Sequence, residues 1–220
     1  MFSSDQKAKS REIKVIKTVV LGDVGSGKSS LISIYRGAQS DFNSSFSFYN
    51  IVKSADFIHQ IWDISGNEDL DITRSAIFNS DAILLVLDSS SPSLTQALQK
   101  WMDLIYDELR NFAAIYICIT KIDIPSIYAI QPEFQELLSK FSDFLITLPF
   151  YLSSNPSNPD NEQINNLFLT IERNSQAGIK TKAPTDLKPH IPYLRTPFEN
   201  SFLIIILLII LFLFILFTII

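Results

Sequence analysis

Eight consecutive residues, Gly22-Asp23-Val24-Gly25-Ser26-Gly27-Lys28-Ser29, carry the pattern GxxxxGK[ST]. Glycines in such a loop let backbone N–H groups converge on phosphate oxygens without interference from Cβ atoms. Lys28 adds a point charge for β- and γ-phosphates, a catalytic as well as a binding role, and the Ser29 hydroxyl is a hard oxygen ligand suited to Mg²⁺. Ser30 continues into a helix whose N-terminus contributes its own partial positive charge. A flexible glycine turn is the bland alternative, and the strand before and helix after the loop argue against it.

Three further clusters follow in order. Trp62-Asp63-Ile64-Ser65-Gly66-Asn67-Glu68 places a carboxylate, Asp63, where it could hold Mg²⁺ through water, and a glycine N–H, Gly66, where it could meet a γ-phosphate. Thr120-Lys121-Ile122-Asp123 offers a carboxylate for two adjacent N–H donors, a pair found on guanine and not on adenine, with the Lys121 stem able to lie over a flat base. Ser153-Ser154-Asn155 supplies short polar groups for a base carbonyl. Each motif alone is weak. Together they point to a guanine nucleotide with Mg²⁺, provided that one scaffold brings them to one edge.

The apolar patterning predicts that scaffold. Ile13–Leu21, Ala82–Asp88, Ala114–Ile119 and Pro149–Leu152 read as strands, the central two as near-continuous apolar runs buried on both faces. Phe46–Lys53 and Phe57–Ile64 read as a hairpin turning at Ser54-Ala55-Asp56. Ser30–Tyr35, Leu94–Leu109, Pro132–Phe141 and Asn161–Arg173 read as helices. Strands alternating with helices predict an α/β fold, a mostly parallel sheet with helices on both faces, and each motif follows a strand, where ligands of such sheets bind.

Composition sets the boundaries. The 220 residues carry a formal net charge of −5, which argues against nucleic acid as a partner. The single cysteine, Cys118, excludes an internal disulfide or a cysteine-rich zinc site. The apolar excess is concentrated at 202–220: eight Ile, six Leu, four Phe and one Thr. As a helix this run spans about 28 Å, close to a bilayer's hydrocarbon core. Lys180, Lys182, Lys188 and Arg195 precede it, as the positive-inside rule expects of a cytosolic flank. The expected organisation is an N-terminal extension at 1–12, a globular domain at 13–174, a proline-rich tether at 175–200 and a transmembrane anchor at 201–220. The tether, with Pro184, Pro189, Pro192 and Pro197, could reach on the order of 75 Å. A tail-anchored protein with its domain in the cytosol follows, on a secretory-pathway endomembrane rather than the mitochondrial outer membrane.

From about Ile13 to Arg173 the motifs resemble the Ras-like small GTPases. Thr73-Arg74-Ser75, Ser91-Pro92-Ser93 and Trp101 look most like the Rab branch. The resemblance implies the P-loop NTPase fold, GTP and GDP binding with Mg²⁺, slow hydrolysis, switch loops that respond to the γ-phosphate, and an exchange factor, an activating protein and effectors as partners, in vesicle traffic.

Departures from the family pattern are equally informative. No threonine lies between Thr18 and Thr73, where switch I usually supplies one to the metal; Ser44, Ser45 and Ser47 are the hydroxyl candidates, with Ser47 preferred. Asn67 stands at the catalytic position of the family's water-orienting glutamine, one methylene shorter. Val24 replaces a glycine or serine and would crowd an arginine finger. These changes imply weak hydrolysis, and an alternative identity as a hydrolysis-deficient scaffold. An ATPase is the remaining rival, opposed by Asp123. The chain ends in Thr218-Ile219-Ile220, with no terminal thiol to prenylate, so the apolar tail stands in for a lipid. His59, Trp62 and Trp101 are read as packing residues, and His190 as solvent-facing.

Overall fold

A computed structural model describes residues 13–37, 46–54, 57–78, 80–108, 113–125, 128–153, 157 and 159–181. The chain divides into two units, 1–184 and 185–220. All described residues lie in the first. The expected N-terminal extension, most of the tether and the whole apolar tail fall outside the described residues. Among the described residues, no helix is long and apolar enough to cross a membrane.

The elements run β1 (Lys14–Leu21), α1 (Lys28–Arg36), β2 (Phe46–Ser54), β3 (Phe57–Ile64), α2 (Leu70–Phe78), β4 (Ala82–Asp88), α3 (Leu94–Glu108), β5 (Ala114–Thr120), α4 (Pro132–Lys140), a 3₁₀ turn (Ser142–Phe144), β6 (Phe150–Tyr151) and α5 (Asn161–Gln176). The sheet order is β2-β3-β1-β4-β5-β6. β2 pairs antiparallel with β3, and the other neighbours are parallel.

Alternation along the strands builds two cores. Val19, Leu21, Ile83, Leu85, Leu87, Ile115 and Ile117 face α2, α3 and α4, where Leu98, Trp101, Ile105 and Phe134 complete the packing. Val20, Ala82, Leu84, Val86, Tyr116 and Cys118 point the other way, against Leu31 and Ile32 of α1 and Ile164, Leu167, Phe168 and Ile171 of α5. Each fully buried Leu or Ile contributes roughly 1.5–3 kcal/mol relative to exposure, so a sheet covered on both faces is the stable solution.

Two elements depart from the sequence pattern. The helix α2 is not announced by apolar spacing, because Leu70, Ile72 and Phe78 are exposed while Thr73, Ala76 and Ile77 are buried. The domain also continues past the expected boundary at 174. α5 runs to Gln176, and beyond it the buried Thr181 accepts a hydrogen bond from Ile115 N at 3.1 Å and donates to Phe144 O at 2.9 Å. One hydroxyl pinned to a strand has no periodicity to reveal it.

The α1–α5 core contains one buried polar chain. Thr18 Oγ1 and His59 Nε2 share a hydrogen bond at 2.8 Å, His59 Nδ1 donates to Glu172 at 3.0 Å, and Tyr35 donates to the same carboxylate oxygen. The Glu172 carboxylate accepts, so His59 Nδ1 is the donor to it. These bonds join β1, β3, α1 and α5 and make His59 a structural residue.

Candidate functional site

Strand register gathers the motifs. Val20 lies beside Asp63, Leu21 beside Leu85, Asp88 beside Thr120, and Ile119 beside Tyr151. The segments that follow these strands, Gly22–Ser29, Ile64–Glu68, Ser89–Ser93, Lys121–Pro125 and Leu152–Ser153, therefore leave from one edge of the sheet.

The loop after β1 turns sharply under β4. Gly22 has φ +142°, and a Cβ there would sit 2.1 Å from Val86 O. Only glycine fits this position. Ser26 N closes the next turn on Asp23 O at 3.2 Å. The Lys28 side chain folds back over the loop and donates to Gly22 O at 2.9 Å and Asp23 O at 2.7 Å. Only 6% of Lys28 is exposed. Burial pushes its ammonium down to about 8, with Asp63 and Asp23 opposing the shift. Two neutral carbonyls do not discharge a buried cation, and a phosphate would.

Facing the loop, Ser29 donates to Asp63 Oδ2 at 2.6 Å. Burial raises the Asp63 carboxyl, while the Ser29 bond and Lys28 pull it back. A single carboxylate with a hydroxyl is the protein share of an Mg²⁺ site whose other ligands are phosphate and water. Among the described residues there is no group of three or more His, Cys, Asp or Glu placed to hold a metal ion. Gly66 closes the cradle: a Cβ on it would lie 2.2 Å from Val24 N and 2.5 Å from Asp23 C. The turn after β3 thus rests against the phosphate loop because it lacks a side chain. A bound Mg²⁺ would neutralise charge on the phosphate oxygens; Ser29 and Asp63 would hold it there.

Ser47 lies in β2, in register with Asp63, while Ser44 and Ser45 fall outside the described residues. Ser30 occupies the first turn of α1. Val24 is 68% exposed on the open side of the loop. Asn67 is exposed, and its Oδ1 accepts from Ser65 Oγ at 2.9 Å.

Thr120 supports the loop through its hydroxyl. It is wholly buried, and its hydroxyl spans Ser26 O at 2.6 Å and Leu87 O at 3.0 Å. These bonds tie the end of β5 to the phosphate loop and to β4. Lys121 holds a left-handed backbone, φ +58°. For a residue with a side chain this costs roughly 1–3 kcal/mol. The Asp88 carboxylate takes up Lys121 Nζ at 2.7 Å, and Ser89 Oγ donates to Lys121 O at 3.1 Å. Burial opposes it, yet the bonds from Lys121 and Ser90 hold the Asp88 carboxyl below the usual carboxylate range. Lys121 is thereby fixed beside Asp123, which is exposed in a turn closed by Ile124 N on Lys121 O at 3.0 Å. Leu152 N bonds Ile119 O at 2.9 Å and brings Ser153 to the same edge. Ser154 and Asn155 lie outside the described residues.

Sequence reasoning missed the supports: Asp88, Ser89 and Ser90 under Lys121, and Lys100 and Trp101 on α3. Asp88 was legible only as a strand end. Ser90 bonds its near neighbour Asp88, whereas Ser89, Lys100 and Trp101 have partners distant in the chain and no local mark.

Residues 17–123 match the family model described as Roc, the Ras of Complex domain of DAPkinase. Over that stretch, a little under half of the chain, it is similar to Roc/Ras-like small GTPase domains, and its curated relatives include Rab-type proteins. Among these, the Ras-related protein RABA5d of Arabidopsis thaliana is 24% identical over 211 residues, covering 91% of this chain and 94% of the relative. The Ypt/Rab-type GTPase avaA of Emericella nidulans is 32% identical over 108 residues, covering 43% of this chain and 50% of the relative. The GTP-binding protein yptV5 of Volvox carteri is 31% identical over 103 residues, covering 41% and 48%. The chain therefore spans nearly all of the first relative and about half the length of the other two.

Proposed function

We propose that this protein is a membrane-held, Rab-like switch in vesicle traffic. The observation that carries the switch is the Ser29–Asp63 pair, closed over by Gly66 and set beside the buried Lys28. A γ-phosphate with Mg²⁺ would pull on the segment after β3, and its loss would release that segment. The uncharged run at 202–220 supports a tail anchor that keeps the domain on the cytosolic face of a secretory-pathway membrane. Guanine selectivity rests on Asp123, and the partners are an exchange factor, an activating protein and effectors.

Hydrolysis is slow in this reading, since Val24 projects where an arginine finger would enter and the short Asn67 amide is taken by Ser65. The same observations favour a second reading, a hydrolysis-deficient scaffold that stays loaded with GTP. The test is nucleotide binding and single-turnover hydrolysis by the full-length chain in detergent, with Lys28→Ala and Asp123→Ala as controls. Preference for GTP over ATP with slow turnover supports the switch. Bound GTP without turnover selects the scaffold, and equal binding of ATP removes both. Fractionation of cells tests the anchor: recovery in a carbonate-soluble fraction would overturn it.

A further inference from the structure

The carboxylate of Asp23 lies in the phosphate loop yet is turned out of the cradle. Its Oδ1 accepts from Trp101 Nε1 at 2.9 Å and from Lys100 Nζ at 3.1 Å, both on α3. Trp101 is 3% exposed and locked into the core by its neighbours on β4 and α3. The indole N–H is only a donor, so it fixes both the direction and the chemistry of what it binds. The Lys100 ammonium also lies 4.7 Å from the centre of the Trp101 ring, so the pair presents one preformed donor site.

The same residue faces the cradle with its backbone. Asp23 O accepts from Lys28 Nζ at 2.7 Å. One residue therefore carries two opposed duties: its carbonyl orients the phosphate-binding cation, and its carboxylate is an anion beside a site for polyphosphate. Left free, that carboxylate would repel the ligand or compete for Lys28.

We propose that Trp101 and Lys100 are positioning residues of the phosphate loop, which hold the Asp23 carboxylate against α3 and so keep Lys28 available to phosphate. The proposal rests on the reading of the loop as a guanine-nucleotide site. It gives α3 a direct hold on nucleotide affinity through residues that touch no ligand.

Release of a fluorescent GDP from the full-length chain in detergent with excess Mg²⁺ tests it. Loss of one hydrogen bond to a charged group predicts about tenfold faster release in Trp101→Phe and a smaller acceleration in Lys100→Met. Asp23→Ala keeps the carbonyl and removes the anion, so adding Trp101→Phe to it should give no acceleration beyond that of Asp23→Ala alone. An effect of Trp101→Phe that persists unchanged beside Asp23→Ala would mean that the indole acts by packing alone, and would overturn the proposal. Lys100 is half-exposed, so Lys100→Met carries the same test should Trp101→Phe fail to fold: its acceleration should vanish beside Asp23→Ala, and release at the wild-type rate overturns the proposal. A wild-type chain that binds no guanine nucleotide overturns the reading of the site itself; normal binding with unaltered release in the variants overturns only the positioning role.

Discussion

The Ser29 hydroxyl donates to the Asp63 carboxylate at 2.6 Å, joining the first turn of α1 to the end of β3. The two residues are 34 positions apart, and each alone is an ordinary polar side chain. Together they form a hard-oxygen pair at the mouth of the phosphate loop.

Ser29→Ala should accelerate GDP release about tenfold in Mg²⁺, the effect of losing one hard-oxygen ligand contact. Stopped-flow release measured with and without EDTA checks this. The variant and wild type should converge once the metal is removed, and a difference that survives EDTA would place the Ser29 effect elsewhere.

Gly66→Ala should cost about 1–3 kcal/mol of overpacking, because its Cβ would lie 2.2 Å from Val24 N. The turn after β3 must then lift off the phosphate loop. GTP affinity should fall more than GDP affinity, as read by competition titration. Equal losses for both nucleotides would mean that the turn does not sense the γ-phosphate.

Asn67→Gln should raise single-turnover GTP cleavage on the order of tenfold, a barrier change of about 1.4 kcal/mol. The longer amide escapes the Ser65 hydroxyl that holds Asn67 at 2.9 Å and extends toward the loop. An unchanged rate would show that side-chain reach at this position is not what slows hydrolysis.

Glu172→Ala should destabilise the domain by about 2–6 kcal/mol, at about 1–3 kcal/mol for each donor left unsatisfied, since it strips the partner from buried His59 and part-buried Tyr35 at once. Glu172→Gln keeps an acceptor and should recover part of the loss. Chemical denaturation measures both. A midpoint unchanged in Glu172→Ala would mean that the network adds nothing to stability.

Cys118 should resist thiol reagents in the native protein. It is wholly buried in β5, and burial pushes its thiol well above the ordinary range. As the single cysteine it reports opening of the core directly. Modification should be slow, and slower still with saturating GDP, which stabilises the folded state by mass action. Rapid labelling that ignores nucleotide would contradict the placement of β5.

Much of this was legible before any coordinates. Strands such as Ala82–Asp88 announce themselves because burial on both faces demands unbroken apolar runs. The phosphate loop is legible because its backbone tolerates few alternatives: Gly22 would collide with Val86 O if it carried a Cβ. What stays hidden is set by partners far away in the chain. The Thr120 hydroxyl bonds Ser26 O and Leu87 O, partners that no local reading supplies. Thr181 looks like part of a tether, yet it caps Ile115.

The order of motifs along the chain and the alternation of apolar residues determined a two-faced parallel sheet and a phosphate-binding edge, because backbone sterics and the burial of apolar side chains act locally and leave a periodic trace. Tertiary structure alone decided where the charged side chains point. Asp23 turns to Trp101, Asp88 takes Lys121, and Glu172 meets His59, since a hydrogen bond depends on distance and angle in space and not on separation in sequence.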